Sequence, residues 1–313
     1  MAAAYILGGL VLVMILLPVL AVDPEKYELN DKTRASIGGR FIRLSDGYTH
    51  YDLSGPEAGR TVVLVHGNAA PCLTWDNTVN ALTGAGFRVL RYDIFGHGYS
   101  DRPARKAYNR DLYDRQLLEI MDRLHIQYPV YLAGTSQGGS ICAYFAARHP
   151  GRVAKIALLS PLFDAFGGRK VAMMLRKKGL GEYMMRVMGN SALNNPGRVL
   201  HSQEKTEELA QKLKSQLRYR GKRRAVLANM RGDTMEDATV YYREIERQGI
   251  PAMLTWGEHD ASIPEASIDR LRAVVPGIEY HRIPDASHLA HYECPQCINE
   301  LLIGFFGGQR AAG

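Results

Sequence analysis

Pro129-Val130-Tyr131-Leu132-Ala133-Gly134-Thr135-Ser136-Gln137-Gly138-Gly139 is the stretch whose reading decides the fold. Its first five residues have the apolar, β-prone character of a buried strand, and residues 140–149 continue as a helical stretch. Between a strand and a helix, Gly-x-Ser-x-Gly makes a sharp turn that strains the serine backbone and lifts its hydroxyl above the sheet. The flanking glycines leave room for that turn, so Ser136 reads as a nucleophile. A serine before a helix is otherwise often just an N-cap, and such a short pattern arises by chance. The neighbouring segments separate the two readings.

Upstream, Thr61-Val62-Val63-Leu64-Val65 is a continuous β-branched run, as expected of a strand buried on both faces, and it ends in His66-Gly67-Asn68. Residues 87–92 read as another buried strand, running into Asp93-Ile94-Phe95-Gly96-His97-Gly98-Tyr99-Ser100-Asp101-Arg102-Pro103, a tight loop marked by its glycines and proline. Downstream, residues 154–161 and 251–256 read as short buried strands, the second leading into Gly257-Glu258-His259-Asp260. A last strand, residues 278–283, precedes Asp285-Ala286-Ser287-His288-Leu289-Ala290-His291-Tyr292-Glu293-Cys294-Pro295. Ser136, Asp260 and His288 therefore each follow the carboxyl end of a strand, where open parallel sheets carry their sites.

In this combination of motifs and order, the chain resembles the α/β-hydrolase family over residues 41–306. The resemblance implies an α/β fold: a mostly parallel eight-stranded sheet, helices on both faces and an inserted helical cap. It implies Ser136 as nucleophile, His288 as general base and later acid, and Asp260 as the carboxylate that orients His288. The backbone N–H groups of Asn68 and Gln137 would form the oxyanion hole. Two positions depart from the family pattern: Ser287 stands where a glycine commonly precedes the histidine, and Gln137 where a methionine often follows the nucleophile. His291 competes with His288 for the base, but the spacing to Glu-x-Pro selects His288 and leaves His291 to packing. Asp285 reads as a loop residue bonding its own backbone, and His66, His97 and Asp93 as loop-holding residues. No cofactor and no metal is expected.

The resemblance divides the chain into a linker at residues 23–40, core segments at 41–160 and 236–307, a cap at 161–235 and a tail at 308–313. With 313 residues, 46% hydrophobic and 23% charged, it has room for one sizeable core and an inserted subdomain. Of the formal +7 charge, the segment 161–235 holds sixteen Lys or Arg against six Asp or Glu, about +10, leaving the remainder near −3. Seven of the eleven methionines also lie there, at helical spacing around Val171, Met174, Leu175, Met184, Met185 and Met188, and Leu209, Leu213 and Leu217 follow at four-residue intervals. This is either a plastic helical core or a deformable acyl pocket under a basic face. No nucleic-acid motif occurs, and no nucleic-acid partner is expected.

Residues 2–22 are uncharged and mostly apolar, about 31 Å of helix, which predicts a single-pass membrane anchor. Val19-Leu20-Ala21 offers the alternative of a cleaved signal and an exported protein. Cys142 reads as a small core residue, and Cys294-Pro295-Gln296-Cys297 has redox-motif spacing but overlaps the Glu-x-Pro segment. Ser136 argues against attack at saturated carbon, the chemistry of dehalogenase and epoxide hydrolase relatives, because a neutral alcohol is a poor nucleophile there. The leading expectation is a serine esterase or lipase acting on a lipid-like small-molecule ester. The alternatives are a carbon–carbon bond hydrolase of vinylogous diketone acids with the same triad, and a ligand receptor on the same scaffold.

Overall fold

Apolar runs without alternation bury both faces of a strand, and this chain's central strands do so completely. The computed structural model describes residues 1, 5, 16–68, 70–104, 107–165 and 170–308. A short helix α1 (Asp31–Ile37) leads into β1 (Arg40–Leu44), β2 (Gly47–Ser54) and β3 (Thr61–Val65), followed by α2 (Asp76–Gly84) and β4 (Arg88–Tyr92). Then come α3 (Arg110–Arg123), β5 (Val130–Thr135), α4 (Gln137–Arg148) and β6 (Val153–Leu159). Between β6 and β7 (Ala252–Gly257) lie α5 (Lys170–Arg176), α6 (Leu180–Val187), α7 (Gly189–Leu193), α8 (Gln203–Gln216), α9 (Lys222–Arg231) and α10 (Thr239–Arg247). The chain ends through α11 (Glu265–Val274), β8 (Glu279–Ile283), α12 (Ala290–Glu293) and α13 (Pro295–Gly307).

Among the described residues the eight strands form one sheet in the order β1-β2-β4-β3-β5-β6-β7-β8. β2 runs antiparallel to β1 and β4, and the other pairings are parallel. Period-two alternation sends Val63, Val65 and Leu132 to one face, packed with α3, α4, α10 and α11, and Val62, Leu64 and Ala133 to the other, packed with α2 and α13. The carboxyl ends of β3, β5, β6, β7 and β8 thus share one edge of the sheet.

A smaller apolar cluster of Ala70, Leu200, Leu209, Leu213, Leu289 and Tyr292 seats α8 on the loop that carries His288. Glu293 reinforces the contact: its Oε2 accepts from Ser287 N at 2.6 Å and its Oε1 from Ser202 N at 2.8 Å and from His201 N. Residues 23–30 form a strap across the start of α9. Glu25 accepts from the N–H groups of Gly221 and Arg223 at 2.7 and 2.8 Å, and Tyr27 bridges to Tyr219. Cys294 and Cys297 form a disulfide, while Cys72 and Cys142 are buried thiols.

The expected membrane anchor at residues 2–22 is overturned. Among the described residues no helix is long and apolar enough to cross a membrane. Residues 2–4 and 6–15 lie outside the described residues. The membrane location inferred from that run is withdrawn with it.

Candidate active site

β5 ends in the turn that carries Ser136. Its backbone sits at φ 54°, ψ −124°, a conformation that L-residues adopt only where the surroundings enforce it. The enforcement is visible in the close approaches around it. A Cβ on Gly134 would lie 2.5 Å from Gly138 O, and one on Gly138 would lie 2.2 Å from Val65 O. One on Gly67 would meet the Ser136 Cβ at 2.8 Å. Only glycines let the start of α4, the end of β3 and the serine turn pack this tightly.

Ser136 and His288 line one pocket of about 140 Å³, together with Asn68, Gln137, Leu162, Val199, Met230, Met235, Ser262 and Ile263. His288 is buried, and its Nδ1 lies 2.9 Å from Asp260 Oδ2. With Nδ1 as donor, Nε2 is left as the acceptor face of the ring. The other Asp260 oxygen accepts from Ser262 N at 2.7 Å and Ile263 N at 2.9 Å. Burial alone would raise the Asp260 carboxyl, but the neighbouring His288 and donors that include Ile263 N outweigh it and hold it below its ordinary value. The carboxylate is therefore kept charged beside the imidazole.

His291 is placed differently. It is buried against Trp75, with ring centroids 4.0 Å apart, and its Nε2 has no partner. Burial, then the proximity of His288, push its imidazole down to about 3. Asp285 is 95% exposed at its side chain and stands apart from the pocket. His66, His97 and Asp93 hold loops. His66 Nδ1 donates to Gly67 O at 2.7 Å, and its Nε2 accepts from Ile94 N at 3.0 Å. Asp93 accepts from Cys72 N and Tyr99 N and pairs with His50 Nδ1 at 2.9 Å. His50, Cys72 and Asp93 bring ligand-type atoms within 4.8 Å of one another. Both Asp93 oxygens are already engaged, however, and burial with the nearby Asp93 pushes the Cys72 thiol well up, so this donor set suits loop bonding better than a cation.

One residue at the site escaped the sequence reading. Asn229, on α9, is fully buried. Its Oδ1 accepts from Gln137 Nε2 at 2.8 Å, Thr234 Oγ1 at 3.0 Å and Tyr113 OH at 3.1 Å. Its Nδ2 donates to Gln137 Oε1 at 2.9 Å and to Asn68 Oδ1 at 3.2 Å. The one available signal was its place on the buried stripe of α9, seven residues after Lys222.

Comparison with known proteins agrees with the fold and adds chemistry. Residues 60–295 match the family described as alpha/beta hydrolase fold. The chain is 28% identical over 282 residues to a 2-hydroxy-6-oxononadienedioate/2-hydroxy-6-oxononatrienedioate hydrolase of Paraburkholderia phymatum, covering 86% of this chain and 95% of that one. It is 24% identical over 274 residues to the carboxylesterase YbfK of Bacillus subtilis, covering 86% and 87%. Among solved structures, the enol-lactonase from Burkholderia xenovorans LB400 superposes with a TM-score of 0.71 at 24% identity, covering 86% of this chain and 100% of that chain, a likeness of fold. The relatives' names back a hydrolase, and they lean toward the carbon–carbon bond alternative more than toward an ester. This chain belongs to the alpha/beta hydrolase family.

Proposed function

We propose that this hydrolase cleaves neutral carboxylic esters through an acyl-enzyme formed on Ser136. The observation that carries the proposal is the convergence of Ser136 and the Asp260-bonded His288 on a pocket whose described lining holds no Lys, Arg, Asp or Glu. In this reading Ser136 Oγ attacks the carbonyl carbon while His288 Nε2 takes its proton. The oxyanion settles against the N–H groups of Gln137 and Asn68, each such donor contributing roughly 3 to 4 kcal/mol. Collapse expels the alcohol, which receives the proton from His288, and water then repeats the two steps on the acyl-enzyme. Asp260 keeps Nδ1 protonated and stabilises the transient imidazolium. Residues 161–235 serve as the cap, closing the pocket with Leu162, Val199, Met230 and Met235.

The names of the relatives favour a second reading, carbon–carbon bond cleavage of a vinylogous diketone acid by the same triad. A dienedioate would place carboxylate against this neutral lining, and an unpaired buried charge costs several kcal/mol. Three of the insertion's arginines are engaged in ion pairs: Arg176 with Glu236, Arg223 with Glu25 and Arg231 with Glu182. The test assays wild type and Ser136→Ala on p-nitrophenyl butyrate and on a 2-hydroxy-6-oxo-dienedioate. Ester turnover lost in Ser136→Ala, with residual rate only from binding and the oxyanion hole, is the expected result. Dienedioate cleavage with ester turnover at background transfers the assignment to the second reading. Full ester turnover in Ser136→Ala removes Ser136 from the nucleophile's role.

A further inference from the structure

Gln137 supplies one oxyanion donor from its backbone, so whatever fixes its side chain also fixes the first turn of α4. That side chain is held at both ends by one partner. Gln137 and Asn229 exchange two amide hydrogen bonds, at 2.8 and 2.9 Å, in a site where both residues are buried. The second Asn229 N–H goes to Asn68 Oδ1, which also lies 2.8 Å from His97 Nε2. Asn229 therefore touches the side chains of both residues assigned to the oxyanion hole. Both of its N–H bonds are used, and its oxygen faces three donors, Gln137, Thr234 and Tyr113, so the amide has little freedom to turn.

Asn229 belongs to the helical insertion, whereas Gln137 opens α4 and Asn68 lies in the loop after β3. Resting on the assignment of Ser136 as nucleophile, we propose that Asn229 is a positioning residue for the hydrolysis, a clasp from α9 that sets the two oxyanion donors at their working separation. The insertion then does more than cover the pocket, because the hole has its full geometry only while α9 is seated. An unsatisfied amide in this buried site would cost more than the bond it replaced, so the clasp favours the seated state. Glu25 holds the other end of the same helix through Gly221 N and Arg223 N, tying the seat of α9 to the strap.

The experiment compares Asn229→Ala, Asn229→Asp and Gln137→Met with wild type and Ser136→Ala. The readouts are the rate of Ser136 labelling by a fluorophosphonate and kcat and KM on p-nitrophenyl butyrate. Melting temperatures show which variants fold. Asn229→Asp keeps the shape but donates to neither Gln137 nor Asn68, and Gln137→Met keeps its backbone N–H while losing both bonds to Asn229. A displacement of about 1 Å costs on the order of 100-fold, so folded variants should label and turn over roughly 10- to 100-fold more slowly, with KM within about threefold of wild type. A folded Asn229 variant or Gln137→Met at wild-type kcat, or a change confined to KM, overturns the proposal. Absence of labelling in wild type, or labelling that survives in Ser136→Ala, overturns the nucleophile assignment instead.

Discussion

At the scale of single residues, two histidines three positions apart have been given opposite surroundings. His288 faces a carboxylate and the pocket; His291 is stacked on Trp75 with no acceptor at Nε2. A base needs a partner that stabilises its protonated form, and only His288 has one. His291 instead stores an acid sensitivity. Its folded value is pushed down to about 3, below the ordinary 6.5 of an exposed imidazole, so between those values the unfolded chain binds the extra proton. The stability it contributes is therefore complete above about pH 6.5 and is lost as pH falls toward 3. His291→Phe keeps the ring on Trp75 and removes that proton site. Its melting temperature should match wild type near pH 8 and exceed it near pH 4.5, where the difference is up to about 3 kcal/mol. A steeper acid loss in the variant than in wild type would contradict this account.

At the scale of the element, α9 buries a stripe of Lys222, Ala225, Val226, Asn229 and Met230, apolar except for the two polar side chains a helix would ordinarily turn outward. Lys222 lies among His66, His97, Arg102, Asp93 and Glu25. Burial first, then repulsion from Arg102, push its ammonium down to about 7 from 10.5, while Asp93 and Glu25 act the other way. Between pH 7 and 10.5 the unfolded chain holds more protons, so this group's contribution to stability rises with pH across that window and is at its worst below it. Lys222→Met should raise the melting temperature at pH 6.5 by more than at pH 10, the difference being on the order of 3 kcal/mol. An equal change at both pH values would show that the site holds the charge without penalty. The same helix marks the limit of what the sequence discloses. Thr61–Val65 and Ala252–Gly257 could be read as strands because every residue is apolar or small and buried. The β1–β2 hairpin could not, since its burial is mixed and its pattern resembles ordinary surface. Ser136, Asp260 and His288 were legible as candidates from strand-end position and order, and Ser136 and the Asp260-bonded His288 meet at one pocket. Asn229 was not, because its partner Gln137 lies 92 residues away, and Glu25 lies 196 residues from Gly221. No local period encodes such a pairing.

At the scale of the whole molecule, the insertion supplies Leu162, Val199, Met230 and Met235 to the pocket lining. Its methionines suggested a deformable acyl pocket, yet only Met230 and Met235 line the cavity. Met173, Met174 and Met188 are exposed on the outside, and Met185 packs into the larger core. The reason is helical geometry: α5 and α6 turn one stripe inward, and a run of adjacent methionines cannot all share it. The pocket that Ser136 and His288 line, among the described residues, is about 140 Å³ and is bounded by Leu162, Val199 and Ile263, less than the roughly 300 to 1,000 Å³ usual for ligand pockets. Under the proposed ester reading, a cavity of this volume suits a small acyl group better than the lipid-like substrate expected from composition. Each methylene buried adds up to about 0.8 kcal/mol, but only while there is room for it, and forcing further carbons into a packed site costs about 1 to 3 kcal/mol. Across p-nitrophenyl esters of two to twelve acyl carbons, kcat/KM should peak between two and four carbons and fall at least about tenfold by twelve. A value that climbs steadily through twelve carbons would mean that the insertion opens to admit the chain, and the small-acyl assignment would fall.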